Sequence, residues 1–175
     1  MLQIYNSLTN KKETFKPLVD GEVKLYVCGM TVYDFCHLGH ARVLVAFDVI
    51  NRFLQARGYN VTYVRNITDI DDKIIDRANR TGEHWESITA RYTQQYFDFL
   101  SELHVHSVTD HPRCTEYVSK MVAFIQGLVD QDRAYTTEDG VYFDVQKQPG
   151  YGKLSGRKVE DMLSGERVTA GAELR

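Results

Sequence analysis

The first half of the chain contains two strand-like apolar patterns separated by a helical one. Residues 22–28 alternate polar and apolar side chains, valines among them, which predicts a strand. Residues 41–57 carry apolar side chains at three- and four-residue steps, including Val43 and Phe47, which predicts an amphipathic helix. Residues 60–64 again favour a strand. Strand, helix and strand in this order form a βαβ unit, so the pattern predicts a parallel sheet with a right-handed crossover.

The chain beyond this unit is mainly helical in pattern. Thr68 is placed to cap a helix over residues 70–80, and apolar side chains at helical spacing over residues 85–103 predict a longer helix. Residues 115–130 predict a further helix, and its apolar stripe is expected to be buried. That stripe consists of Val118, Met121, Phe124, Ile125, Leu128 and Val129.

Short strand and turn signals lie near the two ends. Residues 2–5 favour a strand, and residues 10–13 are predicted to form a turn. Asp139-Gly140 is the dipeptide typical of a tight hairpin, and strand-like residues lie on both sides of it, at 134–137 and 141–145. An antiparallel hairpin is therefore predicted in this last region.

Composition excludes several classes of protein. The 175 residues are 43% hydrophobic and 26% charged, which is ordinary for a globular domain. A net charge of −3 provides no bulk attraction to nucleic acid. No apolar run approaches the ~18 residues of a membrane span, and no signal pattern begins the chain, so neither a membrane nor export is expected. Three irregularly spaced cysteines indicate free thiols or a metal ligand in a reducing cytoplasm.

The segment between the first strand and the first helix holds the residues most typical of a binding site. His37 and His40 lie where the helix is predicted to begin, beside unpaired backbone N–H groups and the positive end of the helix dipole. Gly39 between them leaves space for a flat ligand to lie against the backbone. A polyphosphate nucleotide fits this arrangement better than other common ligands.

Three acidic residues follow the second predicted strand. Asp69, Asp71 and Asp72 together could form a Mg²⁺ or acid–base cluster. Acidic side chains are also favoured in the first turn of a helix, and the helix predicted over residues 70–80 begins here. The second interpretation is preferred, so these residues are not assigned a catalytic role.

The same segment carries a family resemblance. His37, Leu38, Gly39 and His40 resemble the HIGH motif of class I aminoacyl-tRNA synthetases. The flanking runs, Val-Cys-Gly-Met-Thr-Val-Tyr-Asp at 27–34 and Arg-Asn-Ile-Thr-Asp-Ile-Asp-Asp-Lys at 65–73, make the whole similar to the cysteinyl-tRNA synthetase family. Further matching stretches are residues 4–9, 15–17 and 151–155.

The resemblance implies the N-terminal half of a Rossmann-like α/β nucleotide-binding fold. Residues 1–112 are expected to form the first half of the catalytic domain, and residues 113–175 to begin an inserted connective segment of helix and β-hairpin. The implied activity is that of a ligase, which activates cysteine with ATP to cysteinyl-adenylate and transfers it to tRNA(Cys) in protein synthesis. The family's Lys-Met-Ser-Lys-Ser signature does not occur in the sequence. The chain is therefore expected to be an N-terminal fragment that is inactive alone.

The resemblance also implies roles for single residues. His37 and His40 are implied to contact the ATP phosphates and to stabilise the charge that develops as the amino acid attacks. A histidine pair at a helix start is otherwise usually structural. The residues implied to line the ATP subsite are Thr31, His37, Gly39 and His40, and those implied for the amino-acid substrate are Gly29 and Thr68. Thr68 keeps both interpretations, helix cap and ligand contact.

Cys28 is implied to be a zinc ligand. By itself a cysteine at a strand end is usually a small buried apolar residue, and no second ligand stands at a metal-binding spacing. In the resembled family a zinc ion with an open position binds the substrate thiolate and so discriminates cysteine from serine. The remaining ligands are expected downstream in the full-length enzyme, so this chain alone is predicted to bind zinc weakly or not at all. ATP is expected to act with Mg²⁺.

Two other functions remain open at this point. A related ligase activates cysteine but transfers it to an amino sugar, and it shares the Cys-Gly and His-x-Gly-His features. The tract at 66–73 favours the tRNA enzyme. The chain could also be a stand-alone nucleotide-binding module. The expected partners are cysteine, ATP and tRNA(Cys), in a cytoplasmic protein that is expected to be a monomer without a membrane partner.

Overall fold

A computed structural model describes residues 1–157 and contains two compact units. One unit is Lys16–Val118, and the other combines Met1–Phe15 with the described residues from Ser119 on. The strands are β1 (Gln3–Asn6), β2 (Lys11–Thr14), β3 (Glu22–Val27), β4 (Asn60–Arg65), β5 (Ala134–Thr136) and β6 (Val141–Phe143). The α-helices are α1 (Leu38–Ala56), α2 (Asp72–Thr81), α3 (Trp85–Glu102) and α4 (Cys114–Asp130). The predicted division into residues 1–112 and 113–175 stays a prediction.

The unit Lys16–Val118 is built on the predicted βαβ arrangement. β3 and β4 pair in parallel, with Glu22 opposite Asn60 and Val27 opposite Arg65, and α1 connects them. α1 begins at Leu38, three residues earlier than the apolar spacing indicated, because the N-cap is His37. This arrangement confirms the predicted parallel sheet and brings the carboxyl ends of both strands to one edge, where ligands bind in such sheets.

A continuous core lies next to that edge. It joins Val32, from the loop after β3, to Ile67, from the loop after β4, and to the buried face of α3. The other members are Leu44, Ile88, Tyr92, Tyr96, Leu100 and Val105. Val32 is fully buried, and removing an apolar side chain of this size from water contributes about 1.5–3 kcal/mol. The backbone beside the binding-site loop is therefore anchored in the core.

The structure corrects the predicted role of Thr68 as a helix cap. α2 begins at Asp72, and its N-cap is Asp71, whose carboxylate accepts a hydrogen bond from the Lys73 amide at 2.9 Å. Thr68 instead continues the parallel pairing: its N–H donates to the Met30 carbonyl at 3.1 Å, and its carbonyl accepts from Val32 at 3.2 Å. A threonine just before a helical pattern predicts a cap, but here the parallel pairing extends further along the chain than that pattern indicates.

The assignment of Asp69 to the first turn of α2 is also wrong. Asp71 and Asp72 do lie at the start of that helix. Asp69 is buried, and its carboxylate accepts from the amide of Thr115 at 3.0 Å and from the hydroxyl of Thr115 at 2.6 Å. Asp69 therefore accepts from a backbone amide in the first turn of α4, a helix far away in sequence.

The buried stripe predicted for α4 is not buried. Within residues 1–157 no residue of α4 is buried, and Phe124 is 71% exposed. Val118, Met121 and Ile125 are exposed as well. Helical spacing of apolar residues indicates which face seeks a partner, but it does not say which element covers that face. None of the helices in the described part of the chain combines the length and apolarity needed to cross a bilayer.

Two antiparallel hairpins complete the described fold. The predicted turn at residues 10–13 is wrong, because residues 11–14 form β2, paired with β1, and the chain reverses just before them at Asn10, which has a φ of 56°. The hairpin predicted around Asp139 is confirmed: β5 pairs with β6, and the Thr137 amide donates to the Gly140 carbonyl at 2.8 Å.

Candidate functional site

An open cavity of about 500 Å³ lies at the carboxyl ends of β3 and β4. Most of the residues singled out from the sequence line it, namely Cys28, Gly29, Thr31, His37 and His40. Thr68 lies next to it, because it pairs with Thr31 across the extended sheet. Gly39 does not line the cavity but lies between the two histidines in the first turn of α1. The sheet edge therefore gathers the predicted residues into one site.

The two histidines form a reciprocal cap on α1. His37 Nδ1 accepts from the Gly39 amide at 3.1 Å, and His40 Nδ1 accepts from the His37 amide at 3.1 Å. Their rings stack with centroids 3.9 Å apart. Because each Nδ1 is an acceptor, a neutral ring carries its proton on Nε2. The pair thus offers two Nε2–H donors at the cavity wall.

Electrostatics at this helix start favour an anion. No acidic side chain lies in the first turn of α1, so the positive end of the helix dipole is not neutralised locally. Burial, followed by the neighbouring His37 and Arg65, lowers the pKa of His40 below its ordinary value. His40 is therefore a neutral hydrogen-bond donor at neutral pH rather than a fixed cation.

Gly39 is required by the cap itself. A Cβ at this position would lie 2.9 Å from Cε1 and 3.0 Å from Nδ1 of His37, closer than carbon atoms normally approach in proteins. Any side chain at position 39 would push the His37 ring away from the amide that it caps. This reason for a glycine differs from the space for a flat ligand that the sequence suggested.

Gly29 is required by a closer approach. Its Cβ would lie 1.5 Å from the backbone oxygen of Asn66, which no adjustment of side chains relieves. The Gly29 amide donates to Asn66 Oδ1 at 2.8 Å, and Asn66 Nδ2 donates to Thr68 Oγ1 at 3.1 Å. The Thr68 hydroxyl hydrogen is then directed elsewhere and is available to a ligand.

Asn66 is a site residue that the sequence reasoning did not single out. Its side chain connects the end of β3 to the loop after β4, since the Tyr26 hydroxyl also donates to Oδ1 at 2.8 Å. An asparagine just after a strand is usually read as a turn residue. Its position in the matched run at 65–73 was the only sequence signal that could have indicated a role.

The loop before α1 is held by a chain of charged and aromatic contacts. Arg77 of α2 pairs with Asp34 at 3.1 Å and donates to the Tyr92 hydroxyl of α3 at 2.6 Å. Phe35 contacts the Tyr92 ring edge-on, with centroids 5.5 Å apart. Lys73 lies 5.7 Å from the ring centroid of Tyr33. These contacts connect the loop carrying the site to both following helices.

Cys28 is exposed at the cavity, and its Sγ lies 3.5 Å from the Gly29 carbonyl. Within residues 1–157, no three His, Cys, Asp or Glu side chains lie close enough together to hold a metal ion. The described residues therefore offer zinc one thiol and do not by themselves fit a zinc site.

Comparison with known proteins places these observations in a family. A family model described as the catalytic domain of class I (C) tRNA synthetases matches residues 14–175. A cysteine–tRNA ligase of Nitrosomonas europaea is 54% identical over 96% of this chain, and one of Pseudomonas aeruginosa is 53% identical over 98% of it. These alignments cover 36% and 37% of the relatives, so the chain spans a little over a third of their length.

A solved structure supports the fold alone. The ternary complex of Agrobacterium radiobacter K84 agnB2 LeuRS-tRNA-LeuAMS matches 69% of this chain and 16% of its own, with a TM-score of 0.59 and 21% sequence identity. The parallel sheet with its connecting helix is thus the arrangement found in a class I synthetase, as expected.

Proposed function

The chain belongs to the family of class I (C) tRNA synthetase catalytic domains, and on that premise we propose that the whole protein is a cysteine–tRNA ligase. It would activate cysteine with ATP and transfer the cysteinyl group to tRNA(Cys). The structural observation that carries the proposal is the pair His37 and His40 at the N-terminus of α1, where no acidic side chain lies in the first turn. The pair forms part of the wall of a cavity large enough for small substrates.

The activation step needs charge stabilisation more than covalent chemistry. A carboxylate oxygen of cysteine attacks the α-phosphorus of ATP, a P–O bond forms, and the bond to the bridging oxygen breaks to release pyrophosphate. Negative charge grows on the phosphate oxygens during this step. The Nε2–H groups of His37 and His40 donate to those oxygens, which stabilises the transition state. No covalent enzyme intermediate is required.

The remaining site residues position the two substrates. Thr31 and Gly39 contribute to the ATP subsite, and Gly29 and Thr68 to the amino-acid subsite. Asn66 holds Gly29 and Thr68 in fixed relation through its side-chain amide. In the second step a terminal hydroxyl of the tRNA attacks the carbonyl carbon of the adenylate, and AMP leaves with the bonding electron pair.

Zinc and Mg²⁺ are part of the proposal through the family only. Zinc, when bound, supplies affinity for the substrate thiolate, and Cys28 is the described residue that would ligate it. One thiol alone does not hold zinc, so the described residues act in the reaction without it. The 175-residue chain is predicted to retain less than one zinc per molecule after dialysis, as measured by mass spectrometry of the metal. A tightly held stoichiometric zinc would contradict this.

The cytoplasmic location and the monomeric state also stay predictions.

The test is cysteine-dependent exchange of labelled pyrophosphate into ATP by the full-length protein, followed by transfer to two acceptors. Charging of tRNA(Cys) is the expected result. Transfer only to an amino-sugar acceptor would replace the tRNA ligase with the related ligase, and binding of ATP without exchange would favour a nucleotide-binding module. Replacement of His106, which is exposed and outside the cavity, by Asn is the matched control for changes at His40.

A further inference from the structure

The cavity holds a buried cation that has no charged partner among residues 1–157. Arg65, the last residue of β4, lines the cavity and is only 3% exposed. Its Nε and Nη2 atoms are enclosed and have no hydrogen-bond partner within residues 1–157, and no carboxylate of those residues forms an ion pair with it. An arginine with unmade hydrogen bonds in the interior is costly, so its position requires an explanation.

The groups around Arg65 do not neutralise it. Burial raises the pKa of Tyr96 to about 12, so this phenol is uncharged at neutral pH. Burial also raises the pKa of Tyr63 and lowers the pKa values of His40 and His111, and all three are therefore neutral there. The phenols of Tyr63 and Tyr96 hydrogen-bond with the Arg65 side chain, but they do not neutralise its charge.

The two carboxylates that act electrostatically on these rings do not form an ion pair with Arg65. Asp48 acts on Tyr63 but forms its ion pair with Arg52 at 2.6 Å, and Asp110 acts on His111. Neither lies within ion-pair distance of Arg65. The carboxylate that lines the cavity, Asp34, pairs with Arg77. Lys73 also lines the cavity, so the charged side chains that line it carry a net positive charge.

We propose that Arg65 forms an anion subsite for the substrates at the reacting centre, binding an oxygen of either the cysteine carboxylate or the ATP α-phosphate. This inference rests on the proposed ligase function. The pairing register of β3 and β4 places Arg65 opposite Val27, the residue before Cys28. The positive charge of Arg65 also acts electrostatically on His40. The guanidinium therefore lies between the end of the sheet and the first turn of α1, where the two reacting groups must meet. A buried guanidinium binds carboxylate and phosphate oxygens strongly in such surroundings.

The test compares three variants of the full-length protein in cysteine-dependent pyrophosphate exchange. Arg65→Met removes the charge at similar length, Arg65→Lys keeps the charge without the guanidinium fork, and Arg57→Met changes an exposed arginine outside the cavity. We expect kcat/KM to fall about 10- to 100-fold in Arg65→Met, less in Arg65→Lys, and not in Arg57→Met.

The substrate affected identifies the anion. Cysteamine lacks the carboxylate of cysteine. If KM rises for cysteine alone, and the variant no longer binds cysteine more tightly than cysteamine, the subsite is assigned to the carboxylate. A rise in KM for ATP alone assigns it to the phosphate. An Arg65→Met protein that keeps wild-type kcat/KM overturns the proposal.

Two further outcomes separate this proposal from the ligase function. If both Arg65 variants lose the folded state by circular dichroism, Arg65 is structural and the proposal is overturned. If the wild-type protein shows no exchange, the ligase function fails. The subsite is then decided by thermal stabilisation with ATP and with cysteine. Loss of that stabilisation in Arg65→Met supports an anion subsite, and its retention overturns it.

Discussion

The starts of α1 and α2 have the same local geometry but opposite chemistry. Both N-caps, His37 and Asp71, have extended backbones, and each accepts a hydrogen bond from the amide two residues on. At α2 the cap is a carboxylate and Asp72 follows it, so the positive end of the helix is neutralised by the chain itself. At α1 the cap is an imidazole and no acid follows. Capping alone therefore stabilises a helix, whereas capping without negative charge leaves a site for an external anion.

The largest effect should come from His40. His40→Ala in the full-length protein is expected to lower the rate of cysteine-dependent exchange about 100- to 1,000-fold, because a donor to the developing phosphate charge is lost. The thermal midpoint should fall only as far as the loss of one capping hydrogen bond requires, because His40 Nδ1 accepts from the His37 amide. Steady-state exchange and thermal melts measure the two. If the His106→Asn control loses as much activity as His40→Ala, the assignment of the site to α1 is wrong.

Gly39→Ala tests whether the histidine cap must keep its shape. The added Cβ, 2.9 Å from the His37 ring, displaces that ring from the Gly39 amide. Activity should drop about 10-fold, equivalent to about 1.4 kcal/mol in the transition state. Gly127→Ala in α4 is the matched control, because a Cβ there meets no atom within 4 Å. Wild-type activity in Gly39→Ala would show that the His37 position is unimportant.

Asp71→Ala probes the other side of the comparison. Loss of the cap on Lys73 should reduce the free energy of unfolding by about 1 kcal/mol, measured by urea denaturation. Asp71→Asn keeps an acceptor and should lose clearly less. Both variants should retain the activity of the wild-type protein after folding. A large loss of activity in the Asn variant would mean that α2 also contributes to the site.

The smallest effect is a pH dependence of stability. Because the folded-state pKa of His40 is lowered, the unfolded chain binds a proton first as the pH falls. The contribution of His40 is therefore present above the ordinary histidine pKa of about 6.5 and is lost as the pH falls from there through the folded-state value. His111 acts in the same direction. His40→Gln should reduce the slope of unfolding free energy against pH below about 6.5. An unchanged slope would mean that the pH dependence of stability comes from other groups.

Much of the site could be found from sequence because its signals are local. The βαβ pattern, the strand ends and the His37–His40 pair all depend on residues within a few positions of each other, and the structure brings them together at one cavity. The roles assigned to these residues remain proposals. The stripe on α4 shows the limit of periodicity: it identified an apolar face, but that face is exposed within residues 1–157.

Local chemistry along the chain determined the parallel βαβ unit and the histidine pair at the start of α1, because periodicity and capping act within one or two helical turns. Only the tertiary structure decided the rest. Asn66 reaches Gly29 across 37 residues, and Asp69 reaches Thr115 across 46. The burial of Arg65 without a charged partner among residues 1–157 depends on elements that meet only after folding, and no local pattern encodes such a meeting.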